Sequence, residues 1–464
     1  MKRALSVLLL LALPALAEEN AKPAHEAKTV RLPPLPLERT LEEATKLSRE
    51  LPLTERVAVK AKGTMKLAIL LVELADSPRP SWGKEAWQSM LFSKGQYTHD
   101  PDGQPAFGSV HDYYSEQSAG KLDLEGKVFD WIQIPARRAT LEERPTVSLS
   151  AHRELMGAAI DRLLAREGAH ALDDFQALGF IVSGPSAKRY ATALWPHSAV
   201  LLHKGKIWRY YLMHAGEKRF EPIGTHAHEI GHVLGLPDEY GLGNRSGSGI
   251  YCLMAIGNGG GWDDQVAPTA PPVPPREAFR DFARDQLHEL VDRLLGKRSS
   301  SSSELFCQQL GEDAGAPPIT AARPLHLCAP CKAALGWVEP IGLARGQRIY
   351  LEPVEDHPGD VVALPLGRGR RLLLEYRGRR GFDAGMPRSG LLAWRTGDRL
   401  GASLRTLAAG ANGELVPAHG VASVDAAHRD GVQWPWNGHA TLELGDLAIA
   451  GIEEKDGRLY LEVR

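Results

Sequence analysis

Apolar positions along this chain follow two periods, and the changes between them outline the fold. Residues 66–74 form a continuous apolar run bounded by Gly63 and by Asp76-Ser77-Pro78, the pattern of a strand buried on both faces. Residues 121–128 alternate with period two and predict a second strand, which 131–135 extends in the same sheet. Gly179-Phe180-Ile181-Val182 predicts another buried strand, and 199–202 and 207–213 predict two more. Between the strands, Ser109 and Gly120 bracket a helix as N-cap and C-cap. Residues 151–166 form a second, amphipathic helix with Leu155, Ala159, Ile160, Leu163 and Leu164 on one side. Beyond residue 346 the strand signal dominates, at 348–353, 371–376, 390–394, 440–444 and 459–463, with Asp456-Gly457 as a hairpin turn before the last. The fold class is therefore α+β: a mixed-sheet domain followed by a β-rich, sandwich-like C-terminal domain.

Length and composition refine this outline. A chain of 464 residues exceeds one ordinary core. The predicted organisation is a signal peptide at 1–17, a short pro-segment or N-terminal arm at 18–62, a main domain at 63–345 and the C-terminal domain at 346–464. Within the main domain, 264–320 reads as a Pro/Ser-rich insertion carrying one helix at 277–295. Lys2 and Arg3 precede an apolar run at 5–13, and Ala15-Leu16-Ala17 is a small-x-small site, so cleavage is expected near Ala17. That run is short for a membrane span and no other reaches about 18 residues, so the expected protein is exported, without stable membrane insertion. Basic and acidic side chains balance at 55 and 57, and no basic stripe points to nucleic acid. In an exported chain Cys252, Cys307, Cys328 and Cys331 are expected to form two disulfides of open connectivity. Cys328-Ala-Pro-Cys331 has no second CxxC and no thioredoxin-like surroundings, which disfavours a redox motif or half of a structural zinc site. The arm at 18–62 has no cysteine, so no thiol from it can cap a metal.

The chemistry lies in residues 225–240. His228-Glu229-Ile230-Gly231-His232 is an HExxH pattern, and on a helix its two histidines fall one above the other on one face. Both can bind one zinc ion, with Glu229 beside them as general base. Gly235 suits the helix C-cap and Pro237 stops the helix, so the chain turns back and presents Asp238 as third ligand. Glu239 is the rival for that position. Three protein ligands with one open position make a catalytic zinc site. Met254 reads either as core filling or as a turn residue forming an apolar floor under the metal. His203, His214 and His226 read as ordinary surface or core histidines.

The motif with its exit, 228–240, resembles the zinc helix of the M6 family of metallopeptidases, the bacterial immune inhibitor A group. Cys252-Leu253-Met254 is similar to that family's Met turn. Asp-Tyr-Tyr-Ser at 112–115, Gly-Lys-Leu-Asp-Leu at 120–124, residues 326–337 and Gly381-Phe382-Asp383-Ala384-Gly385 continue the likeness, patchily, over about 65–400. The resemblance implies a metzincin-like catalytic domain and a secreted zinc endopeptidase acting on proteins or peptides, frequently with calcium as a structural ion. The long 264–320 segment and the short pro-segment depart from the family pattern. A non-catalytic metal-dependent binding or adhesion protein, and a zinc hydrolase of non-peptide substrates, are the competing classes.

Overall fold

The computed structural model describes residues 59–144, 148–185, 187, 192–239, 248, 251–259, 321–367, 370–386, 389–396, 413–415, 440–444 and 447–464. The signal peptide, nearly all of the N-terminal arm, the 264–320 insertion with its helix, and Cys307 lie outside the described residues. The elements that carry the site are β1 (Gly63–Glu73), α1 (Lys84–Phe92), α2 (Val110–Ser118), β2 (Leu122–Gln133), α3 (Ala158–Glu167), β3 (Ala177–Val182), β4 (His197–His203), β5 (Lys206–His214) and α4 (Ile223–Val233). They form a five-stranded sheet in the order β2-β1-β3-β5-β4, parallel except for the β4–β5 hairpin pair at one edge.

The apolar run predicted at 66–74 is an interior strand of the sheet, between β2 and β3, and both its faces are covered. Leu67, Ile69 and Leu71 belong to an apolar cluster with Tyr113 and Tyr114 of α2 and Ile230 of α4. Ala68, Leu70 and Val72 belong to another, with Ile160 and Leu163 of α3. Successive side chains of a strand point to opposite faces, so this run holds a helix layer on each side.

Three local predictions differ from the structure. The segments at 121–128 and 131–135 are one strand, β2. Helix α2 ends one residue early: Ala119 takes the left-handed conformation at φ 53°, and Gly120 follows it at φ 72°. The amphipathic helix at 151–166 contains a π turn, Arg153–Gly157, ahead of α3. Apolar spacing sets which face is buried, but a single i→i+5 turn is too short to be read from it.

After α4 the described chain resumes with α5 (Ala329–Ala334) and the strands β6 (Ile341–Gly342), β7 (Arg348–Leu351), β8 (Val361–Gly367), β9 (Arg370–Arg377), β10 (Gly390–Thr396), β11 (Gly413–Leu415), β12 (Ala440–Leu444), β13 (Leu447–Lys455) and β14 (Arg458–Val463). They make two sheets, ordered β11-β10-β9-β8-β6 and β12-β13-β14-β7. Asp456 and Gly457 join β13 to β14 with φ of 52° and 76°, the two positive values a type I′ hairpin turn requires. Leu351, Leu373, Leu392 and Leu461 lie in the same apolar cluster as Ile230 and Val233 of α4. Val57–Arg464 accordingly form one compact unit.

The expected disulfides are corrected. Cys252, Cys328 and Cys331 are buried free thiols, and the Cys252 and Cys331 sulfurs stand 3.9 Å apart, far beyond a bond length of about 2.05 Å. The reason is geometric: Cys328 and Cys331 flank the first turn of α5, so both sulfurs reach Cys252 and three converge at once.

Candidate metal centre and active site

Helix α4 enters behind Pro222, without a side-chain cap, and Gly224 lets its first turn pass close to the Asn258 carbonyl. It ends as sequence chemistry requires. The Leu236 N–H donates to the Gly231 carbonyl at 3.0 Å and the Gly235 N–H to the His232 carbonyl at 2.9 Å. These two bonds make a Schellman motif, with Gly235 at φ 103° in the position that calls for glycine. The reversal places Asp238 across from the two histidines.

The Nε2 atoms of His228 and His232 are 3.1 Å apart, and Asp238 Oδ1 is 3.2 Å from each. Among the described residues, His228, His232 and Asp238 are one of two groups whose donor atoms converge closely enough for one ion. Glu239 does not join them: it is buried, its N–H donates to the Met254 carbonyl and its carbonyl accepts from the Ser248 N–H. The His228 Nδ1–H donates to the Leu253 carbonyl at 2.8 Å and the His232 Nδ1–H to the Leu236 carbonyl at 2.7 Å. A carbonyl can only accept, so each neutral ring turns an Nε2 lone pair toward the other and toward Asp238. Three acceptors facing one another call for a cation between them. Their spacing is close to the edge of about 3.3 Å in a tetrahedron with zinc–nitrogen bonds of about 2.0–2.1 Å. The donor set thus fits zinc. Among the described residues no set of three carboxylates converges in the same way; the other converging set is three cysteines.

Electrostatics sort the site into an open and a closed side. Asp238 is 55% exposed while His228 is 5% exposed, so the carboxylate borders solvent. Burial pushes the Asp238 carboxyl up, but without a metal ion the bonds and charge that protonated His228 and His232 offer outweigh it and hold the group below the usual carboxylate range. For His232 burial pulls down, while the Asp238 bond and the Glu229 and Asp238 charges prevail and raise it. Glu229 is buried and its carboxyl is pushed up by desolvation, partly offset by the two histidines. Its Oε2 has no hydrogen-bond partner among the described residues. A buried carboxylate oxygen left in this way beside a metal-ligand set suits proton transfer.

Other contacts of α4 were less legible in the sequence. The Tyr114 hydroxyl donates to the Ala227 carbonyl at 2.6 Å, and the Tyr113 hydroxyl to the Leu325 carbonyl at 2.8 Å. The Asp-Tyr-Tyr-Ser stretch thereby anchors α4 and the segment before α5. Met254 is fully buried, and a Cβ on Gly231 would come within 2.5 Å of its Sδ. The histidines read as bystanders stay apart from the centre: burial pushes His214 and His226 down to about 3, and His203 pairs with Asp161 at 2.7 Å. A signal for Tyr114 was present, since a tyrosine on a buried helix face needs a partner for its hydroxyl.

A mixed sheet beneath a helix bearing HExxH, with a carboxylate returned to the two histidines, is an arrangement compatible with metallopeptidase chemistry. Residues 70–179 match the family described as Immune inhibitor A peptidase M6, catalytic domain, a stretch from within β1 into β3 that stops before α4. The chain is 24% identical over 264 residues to Immune inhibitor A of Bacillus thuringiensis subsp. alesti, covering 44% of this chain and 38% of that protein. It is 23% identical over 260 residues to the Pre-pro-metalloprotease PrtV of Vibrio cholerae serotype O1 (strain M66-2), covering 47% of this chain and 28% of the relative. The likeness thus spans well under half the length of either relative. Over part of its length the chain is thus similar to M6-family metallopeptidases, a family whose activity implies a metal.

Proposed function

We propose that the protein is an exported, zinc-dependent endopeptidase in which His228, His232 and Asp238 hold the metal and Glu229 is the general base. The observation that carries this reading is the meeting of two Nε2 lone pairs and one carboxylate oxygen at 3.1–3.2 Å beside a buried Glu229. When bound, zinc supplies Lewis acidity toward water and the scissile carbonyl. Glu229 removes the proton of the attacking water and returns it to the leaving amine. Burial favours this, because a carboxyl raised above its ordinary value holds a proton more readily between the two transfers. The backbone carbonyls of Leu253 and Leu236 keep both rings in the ligating tautomer, and Met254 packs beneath the helix as its floor.

The match to the M6 catalytic domain supports the peptidase class, and the mixed sheet below α4 is compatible with a metzincin-like arrangement. The two C-terminal sheets fit the sandwich-like reading of the β-rich region. Export rests on Lys2, Arg3 and the apolar run before Ala17; no described helix is long and apolar enough to cross a membrane. Protein or peptide chains are the proposed substrates, in keeping with the names of the relatives.

Digestion of casein or gelatin tests the reading. Chelation should abolish cleavage and zinc should restore it. Glu229→Gln should lower the rate by about 10²–10⁴-fold while zinc content is unchanged. Full activity in Glu229→Gln would overturn the general-base role. Intact zinc with no cleavage of any protein by the wild type would instead favour a binding protein or a non-peptide hydrolase.

A further inference from the structure

Three sulfurs from two distant parts of the chain meet in the core. Cys252, Cys328 and Cys331 are fully buried and their Sγ atoms lie within 4.8 Å of one another. The Cys252–Cys331 separation is 3.9 Å. Around a tetrahedral zinc ion with bonds of about 2.3 Å, thiolate sulfurs stand about 3.8 Å apart. The Cys328 backbone N–H points at the Cys252 sulfur at 3.4 Å, and the Met254 N–H is directed to the same atom. Backbone donors aimed at sulfur stabilise a thiolate, the form that binds metal. The sequence objection to Cys328-Ala-Pro-Cys331 as a metal motif was its missing partner. In the fold Cys252, 76 residues before Cys328, supplies a third sulfur.

We propose that Cys252, Cys328 and Cys331 form a second metal site, a structural thiolate site for zinc that supplies three corners of a tetrahedron. Occupying it releases three thiol protons to solvent. The bound ion pins the turn that carries Met254 to helix α5 and clips together the two ends of the long stretch between Cys252 and Cys328. A clip that closes a long loop restrains the unfolded chain most. The site therefore steadies the floor beneath α4 without taking part in hydrolysis.

The proposal does not rest on the active-site reading, and the test separates them. Protein stripped by a chelator under reducing conditions, reloaded with Zn²⁺ alone and desalted, should carry about two ions per chain in the wild type. His228→Ala/His232→Ala should retain one, and adding Cys328→Ser/Cys331→Ser should remove it. Loading the wild type with Co²⁺ keeps the proposal testable even where the serine variant fails to fold. The His-His-Asp set has no sulfur, so near-ultraviolet thiolate-to-cobalt absorption reports the cysteine site alone. The proposal is overturned by a histidine double variant that binds no metal, by cobalt protein lacking that absorption, or by a disulfide among these cysteines in protein isolated without reductant.

Discussion

Position 231, one of the two unspecified letters of the HExxH pattern, is as constrained as the histidines around it. A methyl group there would meet Met254 Sδ, part of a fully buried side chain. Gly231→Ala is therefore expected to destabilise the fold by about 1–3 kcal/mol, as overpacking does, measured by denaturant unfolding. Met254→Ala should recover part of that loss in the same background, giving a favourable coupling in a double-mutant cycle. Strictly additive losses would mean that the two side chains do not press on each other. The motif alone identified the metal-binding types; the need for glycine between them comes from a residue far along the chain.

At the scale of elements, the exit of α4 decides where the third donor falls. Gly235 is at φ 103°, which a side chain disfavours by roughly 1–2 kcal/mol. Gly235→Ala should strain the Schellman turn and displace Asp238, weakening zinc binding in the same direction as Asp238→Ala. Competition with a chromogenic chelator measures this, and an unchanged zinc affinity in either variant would separate Asp238 from the metal. The stop was readable because Gly and Pro are local signals. The end of α2 was not, because Ala119 enters the left-handed region under the pull of its surroundings rather than by its own preference. The π turn in 153–157 was missed because a single turn of that kind is too short to stand out in the apolar stripe.

Across the whole molecule, a buried polar network ties the helical layer that includes α2 to the C-terminal sheets. The His326 Nε2–H donates to Glu116 of α2 at 2.6 Å, and Lys332 of α5 donates to its Nδ1 at 3.0 Å. Arg377 of β9 bonds Asp383 at 2.7 Å and Glu375 at 3.0 Å, and Asp383 accepts the His326 N–H. Burial pushes Glu116 up to about 7, against the pull of the Phe382 N–H and Lys332, with the Asp383 and Glu355 charges adding to the rise. The folded state thus holds this proton more tightly than the unfolded chain, whose carboxyl titrates near 4.5. The stabilisation it brings is complete below that value and is lost as pH rises through about 7. The melting temperature of the wild type relative to Glu116→Gln should accordingly fall over this window. A difference that does not change with pH would rule out titration of Glu116 there.

Local patterns determined a good deal on their own: the buried strand β1, the two-histidine helix and its glycine stop, and the hairpin at Asp456-Gly457. Each is written in neighbours a few residues apart, where periodicity and backbone preference act directly. Tertiary structure decided what depends on partners far off in the chain. It brought Asp238 rather than Glu239 to the histidines, set Met254 under Gly231, joined Tyr114 to Ala227, and gathered three cysteines where two disulfides were expected. Convergence of this kind arises from packing the helices and sheets around a shared core, and no local spacing encodes it.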